Sequence, residues 1–107
     1  MKQTERLKRD NLLIDYILQH KGKNNAVHAS EIAEYLNKNN FNVAVGSIHP
    51  LINTLKMDRH LPICSTISGG FFWARNMAEI KEYIDNLQKR IVGLQEHIEH
   101  LKNFIME

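Results

Sequence analysis

Apolar residues recur at alternating intervals of four and three through the last third of the chain: Ile80, Ile84, Leu87, Ile91, Leu94, Ile98, Leu101 and Ile105. In heptad lettering the a positions 84, 91, 98 and 105 are all Ile, and the d positions 80, 87, 94 and 101 are Ile followed by Leu throughout. This spacing draws a narrow apolar stripe along one side of a helix. Full burial of one such side chain is worth roughly 1.5–3 kcal/mol, so the stripe calls for a partner surface. A second copy of the same helix is the expected partner, because β-branched a with Leu d favours two strands when the chains run parallel. No polar a residue sets the register, and the g-to-e pairs (Tyr83 with Gln88, Arg90 with Gln95, His97 with Lys102) contain no attractive ion pair. An antiparallel pair therefore stays open. Residues 80–105 extend about 38 Å as a helix at 1.5 Å per residue. Gly93, at an outward c position, costs that helix about 1 kcal/mol relative to Ala. The first two turns, including Tyr83, are expected to pack on what precedes them.

Upstream, the patterning predicts three shorter helices and a hairpin. Residues 4–20 read as the first helix, with Leu13, Tyr16 and Ile17 inward and no Pro or Gly to interrupt it. Lys21-Gly22-Lys23-Asn24-Asn25 stops it, and Ala26-Val27-His28 reads as a short strand. Ser30 is the expected cap of the second helix, with Glu31 near its positive end and Ala29, Ile32, Ala33 and Leu36 on one face. The Asn-rich stretch 37–42 reads as a turn, pinned to the core by Phe41, Val43 and Val45. Pro50 lacks an N–H and belongs in the first turn of a helix, which puts the start of the third at Gly46 or Ser47. Its buried face is Ile48, Leu51, Ile52 and Leu55, its opposite face Ser47, His49, Pro50, Asn53, Thr54, Lys56 and Met57, and its end 58–60. Residues 63–67 and 71–74 are β-prone runs joined by Ser68-Gly69-Gly70, a hairpin signal. Within the second run, alternation turns at least one of Phe71, Phe72 and Trp73 away from the domain core. Asn76 then caps the long helix.

The expected fold class is mainly α with a small β-hairpin (α+β). Helix, short strand, helix, turn, helix, hairpin, helix is the element order of a winged helix-turn-helix head, here over residues 1–75, followed by a C-terminal dimerisation helix over 76–107. Ser30-Glu31-Ile32-Ala33, residues 55–63, Gly69-Gly70-Phe71-Phe72-Trp73-Ala74 and the acidic helix opening at Glu79 together give the chain a resemblance over about residues 4–90. The chain resembles the small winged helix-turn-helix DNA-binding proteins encoded by bacterial phages and prophages. That resemblance implies binding to double-stranded DNA as a transcriptional regulator or a replication protein, in a bacterial or phage-infected cytoplasm. A helix reading the major groove needs short polar groups in its N-terminal half, which Ser47, His49, Asn53 and Thr54 supply. Asn53 suits a bidentate contact to adenine, and Lys56 and Arg59 suit phosphates or a guanine. The wing offers Thr66, Ser68 and backbone amides, with no Lys or Arg at its tip. Lys2, Arg6 and Arg9 form a basic stripe on the first helix, suited to phosphates. The alternative for the third helix is a solvated face on a structural helix, which the winged-helix element order makes the weaker account, and for the basic stripe a solvated face accounts for the residues equally well.

Charge sharpens this division. Residues 1–75 carry ten Lys or Arg against six Asp or Glu, and residues 76–107 four against six. The head is basic and the tail mildly acidic, which suits an anionic partner for the head without demanding nucleic acid. A winged helix also binds proteins, and the uncharged wing tip and exposed Met57 suit a host or phage protein as the alternative partner. The apolar runs are too short to span a membrane, and the charged N-terminus has no signal-peptide core. The single cysteine, Cys64, excludes an internal disulfide and reads as a small core residue of a cytosolic protein. His97 and His100 in a Glu-His-Ile-Glu-His run, and His60 with Cys64, have spacings a metal could use, but read as ordinary surface and strand residues. No phosphate loop, nucleophile elbow or carboxylate pair appears, so the reading is a non-enzyme without metal or cofactor.

Overall fold

A computed structural model of the chain describes residues 2–106. The elements run α1 (Gln3–Leu18), a 3-10 turn (Lys23–Asn25), α2 (Ala29–Lys38), a second 3-10 turn (Val45–Ser47), α3 (Ile48–Arg59), β1 (Ile63–Ser65), β2 (Phe71–Trp73) and α4 (Met77–Ile105). The molecule is mainly helical, with an antiparallel hairpin and a long C-terminal helix. One core joins Leu13 and Ile17 of α1, Ile32, Ala33 and Leu36 of α2, and Ile48, Ile52 and Leu55 of α3 to Val27, Val43, Ile63 and Phe71. Tyr16 stacks on Tyr35 at 4.3 Å between ring centroids, fastening α1 to α2.

Helix α1 ends at Leu18, short of the expected His20, because the next residues serve a strand. The His20 carbonyl accepts from the Trp73 N–H (3.0 Å), and the Gly22 N–H donates to the Trp73 carbonyl (2.9 Å). Gly22 takes φ +90°, a conformation that strains any residue with a Cβ. The expected strand at 26–28 contracts to Val27, whose N–H and carbonyl both bond Phe71 (2.8 and 2.7 Å). β2 is thus paired along both edges, with β1 on the other side in the register Ile63↔Trp73, Cys64↔Phe72 and Ser65↔Phe71.

Ser30 is not the cap of α2. The pairing of Val27 holds the chain extended up to His28, and the helix opens directly after it. His28 occupies the cap position without a side-chain cap, and its carbonyl accepts from the Glu31 and Ile32 N–H groups. After α2, the Asn37 carboxamide grips both sides of Val43: it accepts from the Val43 N–H (2.8 Å) and donates to its carbonyl (3.1 Å). Val43 is buried as expected, but Val45 is 51% exposed, because the 3-10 turn starts there and ends the alternation. Pro50 does lie in the first turn of α3, with Ser47 at the cap position. The helix ends where His60 turns left-handed (φ 55°) ahead of Pro62.

The hairpin turn is longer than the Ser68-Gly69-Gly70 tip. β1 stops at Ser65, and residues 66–70 form the turn. The Gly69 N–H donates to the Thr66 carbonyl (3.0 Å), the Thr66 N–H to the Gly70 carbonyl (2.8 Å), and the Gly70 N–H to Thr66 Oγ1 (2.9 Å). Gly69 adopts φ +93°, which closes this tight turn early and leaves Ile67 in the turn rather than in the strand.

Phe71 faces the core, and its neighbour Phe72 is equally buried on the opposite face. Cys64, paired with Phe72, is buried on that outer face too. The covering element is α4. Asn76 caps it, accepting from the Glu79 N–H at 3.1 Å, and Glu79, Tyr83 and Asn86 border the same recess as Phe72 and Ser65. From Gln88 on, every described residue of α4 is exposed. Among the described residues no helix is long and apolar enough to cross a membrane. Replacing Leu36 by Ala, at a fully buried site, is expected to lower the unfolding free energy by about 2–5 kcal/mol in a urea titration, whereas Val45→Ala stays within about 0.5 kcal/mol.

Candidate nucleic-acid interface

Helix α3 turns Ile48, Ile52 and Leu55 into the core and leaves Ser47, His49, Asn53 and Thr54 exposed. Ser47 stands at the cap position of the helix, and the other three lie within its first two turns. Thr54 donates its hydroxyl proton back to the Pro50 carbonyl (3.0 Å), which leaves the oxygen as an acceptor. The His49 ring lies tilted against Phe71 (4.6 Å between centroids), so the hairpin sets its position.

The two cations of α3 point in different directions. The Lys56 ammonium donates to the Tyr83 hydroxyl (3.1 Å) and lies 5.2 Å from the centre of that ring, so it is held against α4. Arg59 donates to Asn11 Oδ1 (2.8 Å) and ties the C-terminal end of α3 to α1. On α1, Arg6 is exposed, while Arg9 is ion-paired with Asp10 at 2.9 Å and is largely covered. At the hairpin tip, Thr66 and Ser68 share a hydrogen bond at 3.0 Å. Both hydroxyls brace the turn, and the Ile67 side chain between them is 88% exposed.

A cleft of about 450 Å³ lies between α3, the hairpin and α4. His49, Asn53 and Lys56 border it from α3, Thr66 and Ile67 from the hairpin, and Tyr83, Leu87 and Arg90 from α4. Tyr83 is the joint of this arrangement: it also receives a long hydrogen bond from the Ser65 hydroxyl (3.4 Å). Burial pushes its phenol pKa up, but the hydrogen bonds from Ser65 and Lys56 and the nearby ammonium outweigh that and bring it below its ordinary value. Cys64 beneath it is shifted the other way, its thiol raised by burial, as suits a packing residue. In the heptad pattern Arg90 is simply a g residue flanking the stripe. The signal that finds it is a second face of α4, Glu79, Tyr83, Asn86 and Arg90 at spacings of four, three and four, offset from the heptad stripe.

The stripe itself divides. Ile80 and Leu87 are half-buried by the head, whereas Ile84, Ile91, Leu94, Ile98, Leu101 and Ile105 are 45–83% exposed. His100 packs edge-on against Phe104 at 5.3 Å. Compared with family models, curated proteins and solved structures, the chain matches none.

One carboxylate on α4 ties the start of the helix to two separate backbone segments. Glu79 Oε1 accepts from the Arg75 N–H (2.7 Å) and Oε2 from the Lys23 N–H (2.9 Å), and Lys23 also pairs with Glu82 (2.6 Å). The two backbone N–H groups, Lys23 first, hold the Glu79 pKa below its ordinary value. A carboxylate depressed in the folded state contributes stability that is complete above its unfolded pKa, about 4.3, and is lost as pH falls through the lower folded value. Urea titrations of the native protein and Glu79→Gln are therefore expected to differ most above about pH 5 and to converge on acidification. A constant gap across that range would mean that the charge on Glu79 contributes nothing.

Proposed function

We propose that this protein is a dimeric winged-helix DNA-binding protein, a transcriptional regulator or replication-associated factor of phage or prophage type, with α3 in the major groove. The observation that carries the reading is the exposed polar half of α3, where Ser47, His49, Asn53 and Thr54 face outward beside the hairpin. Asn53 has the donor–acceptor pair that recognises the adenine edge. Arg6 and Arg59 add cations suited to phosphates, where contacts raise affinity without reading sequence. The hairpin tip, without a cation, contributes at most hydroxyls and amides to the duplex backbone.

The exposed stripe of α4 supports self-association through a second copy. Six aliphatic side chains stand open at heptad spacing, and an identical helix offers the complementary knobs and holes. Pairing two heads lets two copies of α3 address successive major grooves about 34 Å apart, so the target is an inverted repeat. This reading belongs in a bacterial or phage-infected cytoplasm.

Ile67 and Met57, both strongly exposed near α3 and the hairpin, favour a second reading in which the head docks on a host or phage protein. Salt separates the two. Duplex binding with about six phosphate contacts per dimer is expected to weaken on the order of 10³-fold between about 50 and 200 mM salt, whereas an apolar protein contact stays nearly constant. Selection from a random duplex pool is expected to enrich a repeat that Asn53→Ala binds more weakly by about 1–3 kcal/mol. Ile91→Asp with Leu94→Asp is expected to give folded monomers that lose tight binding. Failure to enrich any site would favour the protein-docking reading, and full affinity in the monomer would remove the role of the stripe.

A further inference from the structure

The cleft between α3, the hairpin and α4 has a chemical bias of its own. Its lining holds the cations Lys56 and Arg90, the polar groups of His49, Asn53, Thr66 and Tyr83, and no carboxylate. Lys56 is kept at this border by the Tyr83 hydroxyl and ring. Arg90 is exposed and makes no ion pair among the described residues. Two cations bordering one concavity, without a counter-charge in its wall, raise the local positive potential and favour an anion. A guanidinium adds a planar fork of N–H donors that matches two oxygens of a phosphate. The opening also adjoins His49 and Asn53, so a DNA strand whose bases meet α3 has its backbone beside this cleft.

We propose that the cleft holds a phosphodiester of the DNA backbone, with Arg90 and Lys56 as its donors, so that α4 is part of the DNA contact as well as the pairing element. This rests on the DNA-binding reading above. It makes the position of the backbone contact depend on Glu79, which ties α4 to the backbone of Lys23 and Arg75, and on Tyr83, which ties it to Lys56 and Ser65, and it sets a DNA contact next to Leu87, where the stripe begins to leave the head.

The test is fluorescence anisotropy with a mixed-sequence duplex of about 30 base pairs, long enough for two successive half-sites. The native protein is compared with Arg90→Gln, Arg90→Lys and Lys89→Gln over a range of salt, at a concentration where sedimentation gives all four the same mass. Lys89 lies on another side of α4, beside Asp85 and Val92, and removing it changes the net charge by the same amount. Arg90→Gln is expected to lower the slope of log affinity against log salt by about 1 and to weaken binding about 5–10-fold at low salt. Arg90→Lys is expected to keep the slope and lose about 2–5-fold in affinity, because the charge remains and the fork does not. Lys89→Gln is expected to change neither. An unchanged slope in Arg90→Gln, or an equal loss in Lys89→Gln, overturns the proposal while leaving DNA binding intact. A native protein that does not bind the duplex overturns the DNA-binding reading, and this proposal with it.

Discussion

Phe71 and Phe72 are neighbours on a three-residue strand, point to opposite faces of the hairpin, and are both buried. An isolated two-stranded hairpin is marginal in water, and this one persists because each face has a cover. The three-helix core covers Phe71 and Ile63. The first turns of α4 cover Phe72 and Cys64 on the other side. With its far edge paired to Val27, Gly22 and His20, β2 is held from every direction except along its own axis. The path of α4 follows from this constraint, since the helix has to cross the outer face of the hairpin before it runs into solvent.

Polar groups then set the angle of that crossing. Asn76 opens the helix, and Glu79 collects the N–H groups of Lys23 and Arg75, which lie on either side of the hairpin in sequence. One turn later Tyr83 reaches Lys56 and Ser65. These bonds are individually modest, about 0.5–1.5 kcal/mol net each, or somewhat more where a charge takes part. Their importance is geometric: they bring Arg90 to the border of a cleft that α3 and the hairpin form on the other sides.

Helix α4 therefore carries two faces with different demands. One, through Glu79, Tyr83, Asn86 and Arg90, belongs to the head. The other is the aliphatic stripe, which the head covers only in part at Ile80 and Leu87 and which stands open farther along. A single chain leaves that apolar surface in water, and this is the physical argument for self-association. In the proposed dimer, the offset between the faces would let one helix serve the head and a second copy at once.

Much of this architecture was legible from local chemistry. A 3-4 spacing of Ile and Leu specifies an amphipathic helix, Pro50 locates the start of α3, Asn76 caps α4, and Gly69 beside Gly70 marks a tight turn. The polar outer face of α3 was legible for the same reason: once Ile48, Ile52 and Leu55 point inward, helical periodicity turns Ser47, His49, Asn53 and Thr54 out. What sequence could not supply were the consequences of contacts between distant segments. The early end of α1 and the start of α2 at Ala29 follow from hydrogen bonds to Trp73 and Phe71, far along the chain. Lys56 is held by Tyr83, Arg59 is hydrogen-bonded to Asn11, and only the third dimension could show that these two cations meet partners so far along the chain, whereas Arg9 pairs with its neighbour Asp10. Arg90 entered a cleft with Asn53 for the same reason: periodicity says which residues share a face of one helix, whereas the packing of Phe72 under Tyr83 decides what that face is laid against.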